Sequence, residues 1–156
     1  MRLNTILVQT YQGFNSQETN KPYPISLPKV SSVGEVVKYF SQNEFKCQCR
    51  YRCGKGFDYM DQHLIKRLDL ARSIAKFPFV LISTIRCDQH NEDVGGIKFS
   101  AHTKGLAVDI KATTSHARFK ILFGLIKAGF TRIGVYKTFI HADLDTSKPQ
   151  EVIWHG

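Results

Sequence analysis

Apolar residues recur at the spacing of an amphipathic helix in two stretches of the chain. Residues 58–76 carry the clearer pattern, largely at i, i+3 and i+4, and Asp58 or Asp61 stands where a helix N-cap is expected. Pro78 follows this stretch, and a proline cannot continue a helix. Residues 116–128 show a second helical pattern, with Gly129 where a C-cap would be. The pattern therefore predicts two amphipathic helices.

Four short apolar runs are typical of β-strands. They cover residues 79–83, 106–110, 132–136 and 139–144, and the two residues between the last two runs favour a hairpin or two adjacent strands. One more short helix is predicted at residues 35–40. Residues 86–99 are polar and contain two adjacent glycines, which predicts a loop. The expected fold class is α+β, with helices packed on a small, mainly antiparallel sheet.

The first 34 residues differ from the rest of the chain. They contain Pro22, Pro24 and Pro28 and little periodicity, which predicts an extended or loosely packed arm over residues 1–34. A chain of 156 residues has the length of one domain with its own core. We therefore expect residues 35–156 to form a single domain.

The chain is basic. Lys and Arg number 22 against 13 Asp and Glu, a formal charge of +9, and the pI is near 9.5. This charge favours an anionic partner, and nucleic acid, an anionic cell envelope or acidic lipid would all serve. A hydrophobic fraction of 42% excludes a disordered polyelectrolyte. Because the sequence has neither a membrane-spanning apolar run nor a signal-peptide core, we expect a chain made in the cytoplasm without membrane insertion.

Two histidines and two aspartates are spaced so that they can converge. His102 lies in a loop after Ser100, and Asp109 lies on the strand that follows. His141 and Asp143 lie two residues apart, on one face of a later strand. Imidazole nitrogen and carboxylate oxygen are ligands that zinc prefers, and three protein ligands with an open fourth position are typical of a catalytic zinc site.

The motifs around these residues resemble the M15 family of zinc D-Ala-D-Ala peptidases, in particular the short, single-domain branch found in phage and prophage lysins. The resemblance covers roughly residues 39–144, and its most specific part is the SxHxxGxAxD run from Ser100 to Asp109. It implies that His102, Asp109 and His141 ligate one catalytic zinc ion and that Arg86 binds a substrate carboxylate. A planar, permanently charged guanidinium suits that second role.

The remaining roles are less defined by sequence. Ser100 either binds substrate or braces its loop. Some related endopeptidases carry an acid three residues before the last zinc histidine, but this chain has Thr138 there. Asp143 is then the candidate general base, with orientation of His141 as the alternative. His90, Glu92 and Asp93 are further candidates near Arg86, whereas surface positions are predicted for His63, His116 and His155.

The four cysteines are the last candidate group. Cys47, Cys49 and Cys53 form a CxCxxxC cluster, and Cys87 is adjacent to Arg86. They could form a second, structural zinc site, one or two disulfides, or remain reduced. The spacing differs from that of common zinc ribbons, which disfavours the zinc site.

The expected function is that of a monomeric zinc metallopeptidase acting on the peptides of bacterial peptidoglycan, as a DD-carboxypeptidase or a crosslink endopeptidase. The basic charge would hold it near the anionic wall, so no specific nucleic acid is expected. Such an enzyme would reach the wall by holin-type release or phage-particle delivery. The alternative is a non-catalytic binding module for nucleic acid or envelope polymers, or a structural phage-particle subunit, on the same fold.

Overall fold

A computed structural model of the chain describes residues 37–156. The arm predicted at residues 1–34 lies outside the described residues. Within the described part, the helices are α1 (Gln62–Ala75), α2 (Asp88–Asp93) and α3 (Ser115–Lys127), with short 3-10 helices at Gln42–Phe45 and Phe57–Tyr59. The strands are β1 (Leu81–Ser83), β2 (Ala107–Lys111), β3 (Arg132–Val135), β4 (Phe139–Asp143) and β5 (Val152–His155).

Both predicted amphipathic helices are present, and their ends have local causes. The carboxylate of Asp61 accepts the backbone N–H of Leu64 at 2.8 Å, so Asp61 rather than Asp58 caps α1. The hydroxyl of Thr114 caps α3 in the same way. Gly129 follows α3 with a φ of 83°, a left-handed conformation that favours glycine and ends the helix.

The strands form one sheet in the order β1-β2-β4-β3-β5. All neighbours are antiparallel except β3 and β5, which are parallel. The fold is therefore α+β with a mainly antiparallel sheet, as predicted. Within residues 37–156, no helix is long and apolar enough to cross a membrane.

Three local predictions differ from the structure. The predicted helix at 35–40 is wrong over its described residues, because the backbone N–H of Tyr39 donates to Asp69 rather than to a helical carbonyl. Strand β1 is shorter than predicted and its pairing with β2 is irregular. The predicted loop at 86–99 contains α2, which is capped by the Cys87 sulfur.

The sheet has one apolar face and one polar face. The apolar face packs against α1 and α3, which approach closely because Gly124 has no Cβ: such an atom would lie 2.4 Å from the carbonyl oxygen of Ala71. Burial of each large side chain in this layer stabilises the fold by about 1.5–3 kcal/mol. The fully or almost fully buried residues of the three central strands on this face are Val108, Ile110, Ile133, Ile140 and Ala142.

Register places the polar residues together on the opposite face. Asp109 pairs directly with His141 across β2 and β4, and Ala107 pairs with Asp143. On the other side of β4, Gly134 of β3 is opposite His141. Because side chains alternate along a strand, these positions all project to one face. That face holds the candidate site.

Candidate active site

Three side-chain atoms converge on the polar face of the sheet. Nε2 of His102 lies 3.2 Å from Oδ1 of Asp109 and 3.3 Å from Nδ1 of His141. Nδ1 of His141 lies 2.9 Å from the same Asp109 oxygen. Ligand distances of about 2.0–2.2 Å around a tetrahedral zinc ion place donor atoms about 3.3–3.6 Å apart, close to the two longer of these separations. The spacing and the chemistry of this donor set therefore fit one zinc ion.

The loop before β2 carries His102 to this point. Gly105 has a φ of 72°, and a Cβ on it would lie 2.1 Å from the carbonyl oxygen of Tyr59, so only glycine fits. The carbonyl of Gly105 accepts the backbone N–H of Asp61 at 3.0 Å, which joins the loop to the start of α1. The glycine of the sequence motif therefore fixes the loop against the helix.

Each histidine is oriented through its other ring nitrogen. Nδ1 of His102 lies 2.6 Å from the carbonyl oxygen of Thr84, and Nε2 of His141 lies 3.0 Å from Oδ2 of Asp143. With these nitrogens donating, Nε2 of His102 and Nδ1 of His141 present lone pairs to the same point. Such hydrogen bonds fix the tautomer of a metal-binding histidine.

Electrostatics at His102 and Asp109 also suit metal ligation. Burial lowers the pKa of His102, which favours the neutral imidazole. Burial would raise the pKa of Asp109, but its contacts with His102 and His141 outweigh burial and hold the pKa of this carboxyl well below its usual range. The carboxylate is therefore charged and His102 neutral near pH 7, as metal ligands must be.

Arg86 lies beside the three converging residues. Its Nη2 donates to Oδ2 of Asp109 at 2.7 Å and its Nε donates to the hydroxyl of Ser83 at 2.8 Å. Its backbone N–H donates to the carbonyl of His102 at 3.1 Å. Within residues 37–156, Nη1 of Arg86 makes no hydrogen bond, and the side chain lines the cleft. The guanidinium is thus held in place with one nitrogen still available to a ligand.

Asp143 is almost completely buried, and both of its oxygens are engaged. Oδ2 faces His141, while Oδ1 accepts from Nε of Arg132 at 2.8 Å and from the backbone N–H of Asp145 at 3.0 Å. Burial would raise the pKa of Asp143, but the hydrogen bond with His141 and the other donors lower it. These contacts favour the orienting role over the general base.

A cleft of about 540 Å³ opens over the three converging residues. Ser100 lines it, but the Ser100 hydroxyl accepts the backbone N–H of His102 at 3.3 Å, a contact that braces the loop. Trp154 of β5 fits over Gly134, where a Cβ would lie 2.7 Å from the indole. The apolar wall of the cleft consists of Val94, Ile97, Tyr136, Phe139 and Trp154.

Several sequence candidates lie outside this centre. His63, His116 and His155 are exposed, as predicted. Nδ1 of His90 contacts the Cys47 sulfur at 3.3 Å rather than the cleft residues. Thr138 is exposed in the turn before β4. The four cysteines form a second group of their own.

Sequence reasoning missed two residues that build the site, Arg132 and Trp154. Arg132 anchors Asp143 and also lies with its guanidinium carbon 5.3 Å from the Trp154 ring. Trp154 lies with its ring 5.7 Å from that of His141. The glycine at position 134 within an apolar strand was the available signal, because such a glycine often marks a close approach of another group.

A buried His-Asp-His set open to a cleft, with an arginine beside it, is typical of the active site of a metal-dependent hydrolase. The family model described as Peptidase M15 matches residues 38–143, about two thirds of the chain. The chain therefore belongs to the peptidase M15 family, a family of metallopeptidases. No individually curated protein matches it significantly. Strand β5, with Trp154, lies beyond the matched residues.

Proposed function

We propose that this protein is a zinc metallopeptidase that hydrolyses D-amino-acid-containing peptide bonds of bacterial peptidoglycan, as a DD-carboxypeptidase or a crosslink endopeptidase. One observation carries the proposal. The donor atoms of His102, Asp109 and His141 lie within 3.3 Å of one another at the base of a cleft, in a chain of the peptidase M15 family.

In this proposal His102 Nε2, Asp109 Oδ1 and His141 Nδ1 hold the ion. When bound, zinc polarises a scissile carbonyl and lowers the pKa of a coordinated water. Hydrolysis adds one water across the amide, leaving a carboxylate and an amine. The protein's contribution is to orient the two imidazoles, to keep His102 neutral and to keep the Asp109 carboxylate charged.

Arg86 is proposed to bind a carboxylate of the substrate. Its Nε and Nη2 are fixed by Ser83 and Asp109, so little side-chain entropy is lost when Nη1 engages a ligand. Ser100 is proposed to hold the His102 loop.

Asp143 is proposed as a positioning residue that acts through His141. A carboxylate that accepts from the far nitrogen of a metal-binding imidazole raises the basicity of that ligand. The same carboxylate is held by Arg132, so its orientation is fixed before any ligand binds.

The charge of the chain and its delivery form the last part of the proposal. A net charge of +9 favours retention near the anionic wall. We propose that a monomer acts at the wall after holin-type release or phage-particle delivery.

The test is digestion of purified peptidoglycan followed by mass spectrometry of the released muropeptides. The zinc-loaded parent should release peptides or D-alanine. His102→Ala should digest peptidoglycan at least about 1000-fold more slowly, because one of three ligands is removed. His116→Ala, at an exposed histidine, is the matched control and should retain full activity. Equal digestion by the parent and His102→Ala, or no digestion by a fully zinc-loaded parent, would refute the proposal. In the second case, steeply salt-dependent binding to nucleic acid or to wall polymers would point to a binding module instead.

A further inference from the structure

Four cysteines from two distant parts of the chain meet in the structure. One of them, Cys87, directly follows Arg86 in sequence. Cys47, Cys49 and Cys53 lie in the loop of residues 46–56, and Cys87 lies at the start of α2. All four are free thiols, and their sulfur atoms lie within 4.8 Å of one another. A tetrahedral zinc ion with Zn–S distances of about 2.3 Å places its sulfurs about 3.8 Å apart.

We propose that Cys47, Cys49, Cys53 and Cys87 bind a second, structural zinc ion. A closed set of four protein thiolates leaves no open position, which is typical of a structural rather than a catalytic zinc site. The site is separate from the His-Asp-His centre and does not depend on the proposed peptidase activity.

Backbone hydrogen bonds to the sulfurs support thiolate ligands. The N–H of Cys87 donates to the Cys47 sulfur at 3.4 Å, and the N–H of His90 donates to the Cys87 sulfur at 3.4 Å. The N–H of Cys53 faces the Cys49 sulfur at 3.5 Å. Donors of this kind stabilise charge on a metal-bound sulfur.

Charge in the loop complements the proposed site. Four thiolates and one Zn²⁺ carry a net charge of −2, which an isolated exposed loop would hold at an electrostatic cost. The side chain of His90 is 3.3 Å from the Cys47 sulfur and can donate to it. The same loop carries four cations. Arg50 and Arg52 lie between the cysteines, and Lys46 and Lys55 flank them.

The loop has little else to hold it. None of residues 46–56 is buried, and Cys47 is the residue of this loop that packs against the edge of the core. Its fixed points are the buried Phe45 before it, a backbone hydrogen bond from Cys47 to Lys55 at 2.9 Å and an exposed hydrogen bond from the Tyr51 hydroxyl to Asp93 of α2 at 3.1 Å. An ion joining the four sulfurs would fix this loop to Cys87, and thereby the segment that presents Arg86 to the cleft.

Disulfide pairing is the alternative use of these residues. A disulfide joins two sulfurs at about 2.05 Å and separates them from the others. The structure instead groups all four sulfurs around one point. One tetrahedral ion would explain why all four sulfurs lie together. Two separate disulfides would not require the two pairs to be close to each other.

The first experiment is elemental analysis of the full chain, purified with zinc in a reducing buffer. The parent should contain two zinc ions per chain, and His102→Ala should retain one. The double variant Cys49→Ser/Cys53→Ser should also contain one, held by the His-Asp-His centre. One ion in the parent and none in His102→Ala would overturn the proposal, whatever the peptidase activity.

A second measurement covers the case in which the cysteine variant fails to fold. The His102→Ala chain is loaded with cobalt in place of zinc, and its ultraviolet and visible absorption is recorded. Tetrahedral thiolate ligation should give intense sulfur-to-cobalt charge-transfer bands, and their absence would overturn the proposal. A thiol titration of the parent, denatured without reductant, should count four thiols. A count of two or none would show disulfides in place of the metal site.

Discussion

Nε2 of His141 lies 3.0 Å from Oδ2 of Asp143, on the side of the ring away from the point where three donor atoms converge. The two residues are neighbours on one face of β4, so the sheet itself sets this distance. The ion-binding nitrogen and the carboxylate are thus joined through one imidazole.

Asp143→Asn tests this relationship. The amide keeps the shape of the side chain but weakens the acceptor, so zinc affinity should fall on the order of 10–100-fold. The measurement is zinc competition with a chromophoric chelator, together with the pH profile of kcat/KM. The control is Asp58→Asn, at an exposed position. If Asp143 were instead the general base, zinc affinity would be unchanged and the acidic limb of the pH profile would disappear.

Protonation of the metal-free site gives a second prediction. Burial would lower the pKa of His141, but hydrogen bonds to Asp109 and Asp143 outweigh burial and raise it above the usual value of 6.5. Burial lowers the pKa of His102 below the same value. In an NMR titration of the metal-free protein, the His141 imidazole should therefore titrate above 6.5 and the His102 imidazole below it.

The signs of these shifts define the pH dependence of stability. The contribution of His141 is fully present below the unfolded pKa of 6.5 and is lost as pH rises through the higher folded pKa. The contribution of neutral His102 is lost as pH falls below 6.5. In urea unfolding of the metal-free protein, His141→Gln should remove the decrease in unfolding free energy at alkaline pH. The decrease at acid pH should remain. An unchanged alkaline slope would contradict this assignment.

Gly105→Ala tests the loop that carries His102. The substitution combines a left-handed backbone with a Cβ placed 2.1 Å from the carbonyl oxygen of Tyr59. Gly95→Ala is the matched control, because Gly95 has a φ of 67° with nothing within 4 Å of its Cβ position. The control should lose about 1–2 kcal/mol of unfolding free energy. Gly105→Ala should lose about 1–3 kcal/mol more, through overpacking, and equal losses would show that the contact with Tyr59 is relieved at no cost.

Arg86→Lys tests carboxylate binding. Lysine keeps the charge but loses the planar arrangement of donors, so kcat/KM for a peptide with a free terminal carboxylate should fall about 10–100-fold. The same peptide with an amidated terminus should lose much less, because it lacks the group that Arg86 binds. Equal losses for both peptides, with zinc content unchanged, would assign Arg86 to the support of Asp109 alone.

Much of the fold could be predicted because the signals are local. The apolar spacing of α1 and the capping residue Asp61 lie within one stretch of chain, and the three converging donors lie in two short motifs. Helix α2 escaped prediction because it has six polar residues and no apolar stripe. Strand β5 escaped because it is a short edge strand whose partner, β3, is known only from the tertiary structure.

The four cysteines could be named as a candidate group from sequence, but the choice among zinc, disulfides and reduced thiols depends on the tertiary structure. Their spacing along the chain differs from that of common zinc ribbons. The fourth cysteine, Cys87, lies at the start of α2, far from the other three in sequence, so only the fold brings it to them. The contacts of Asp143 likewise depend on the tertiary structure, which brings Arg132 and the backbone of Asp145 to one oxygen and His141 to the other.

The direct pairing of Asp109 with His141 would give a bound metal a part in folding. A shift of one residue between β2 and β4 would turn one of these side chains to the apolar face, and the three donors would no longer meet. Only the native register could then bind the ion, so the free energy of metal binding would stabilise the native sheet and no misaligned one. A bound metal would therefore favour the correct alignment of β2 and β4, in addition to any role in the reaction.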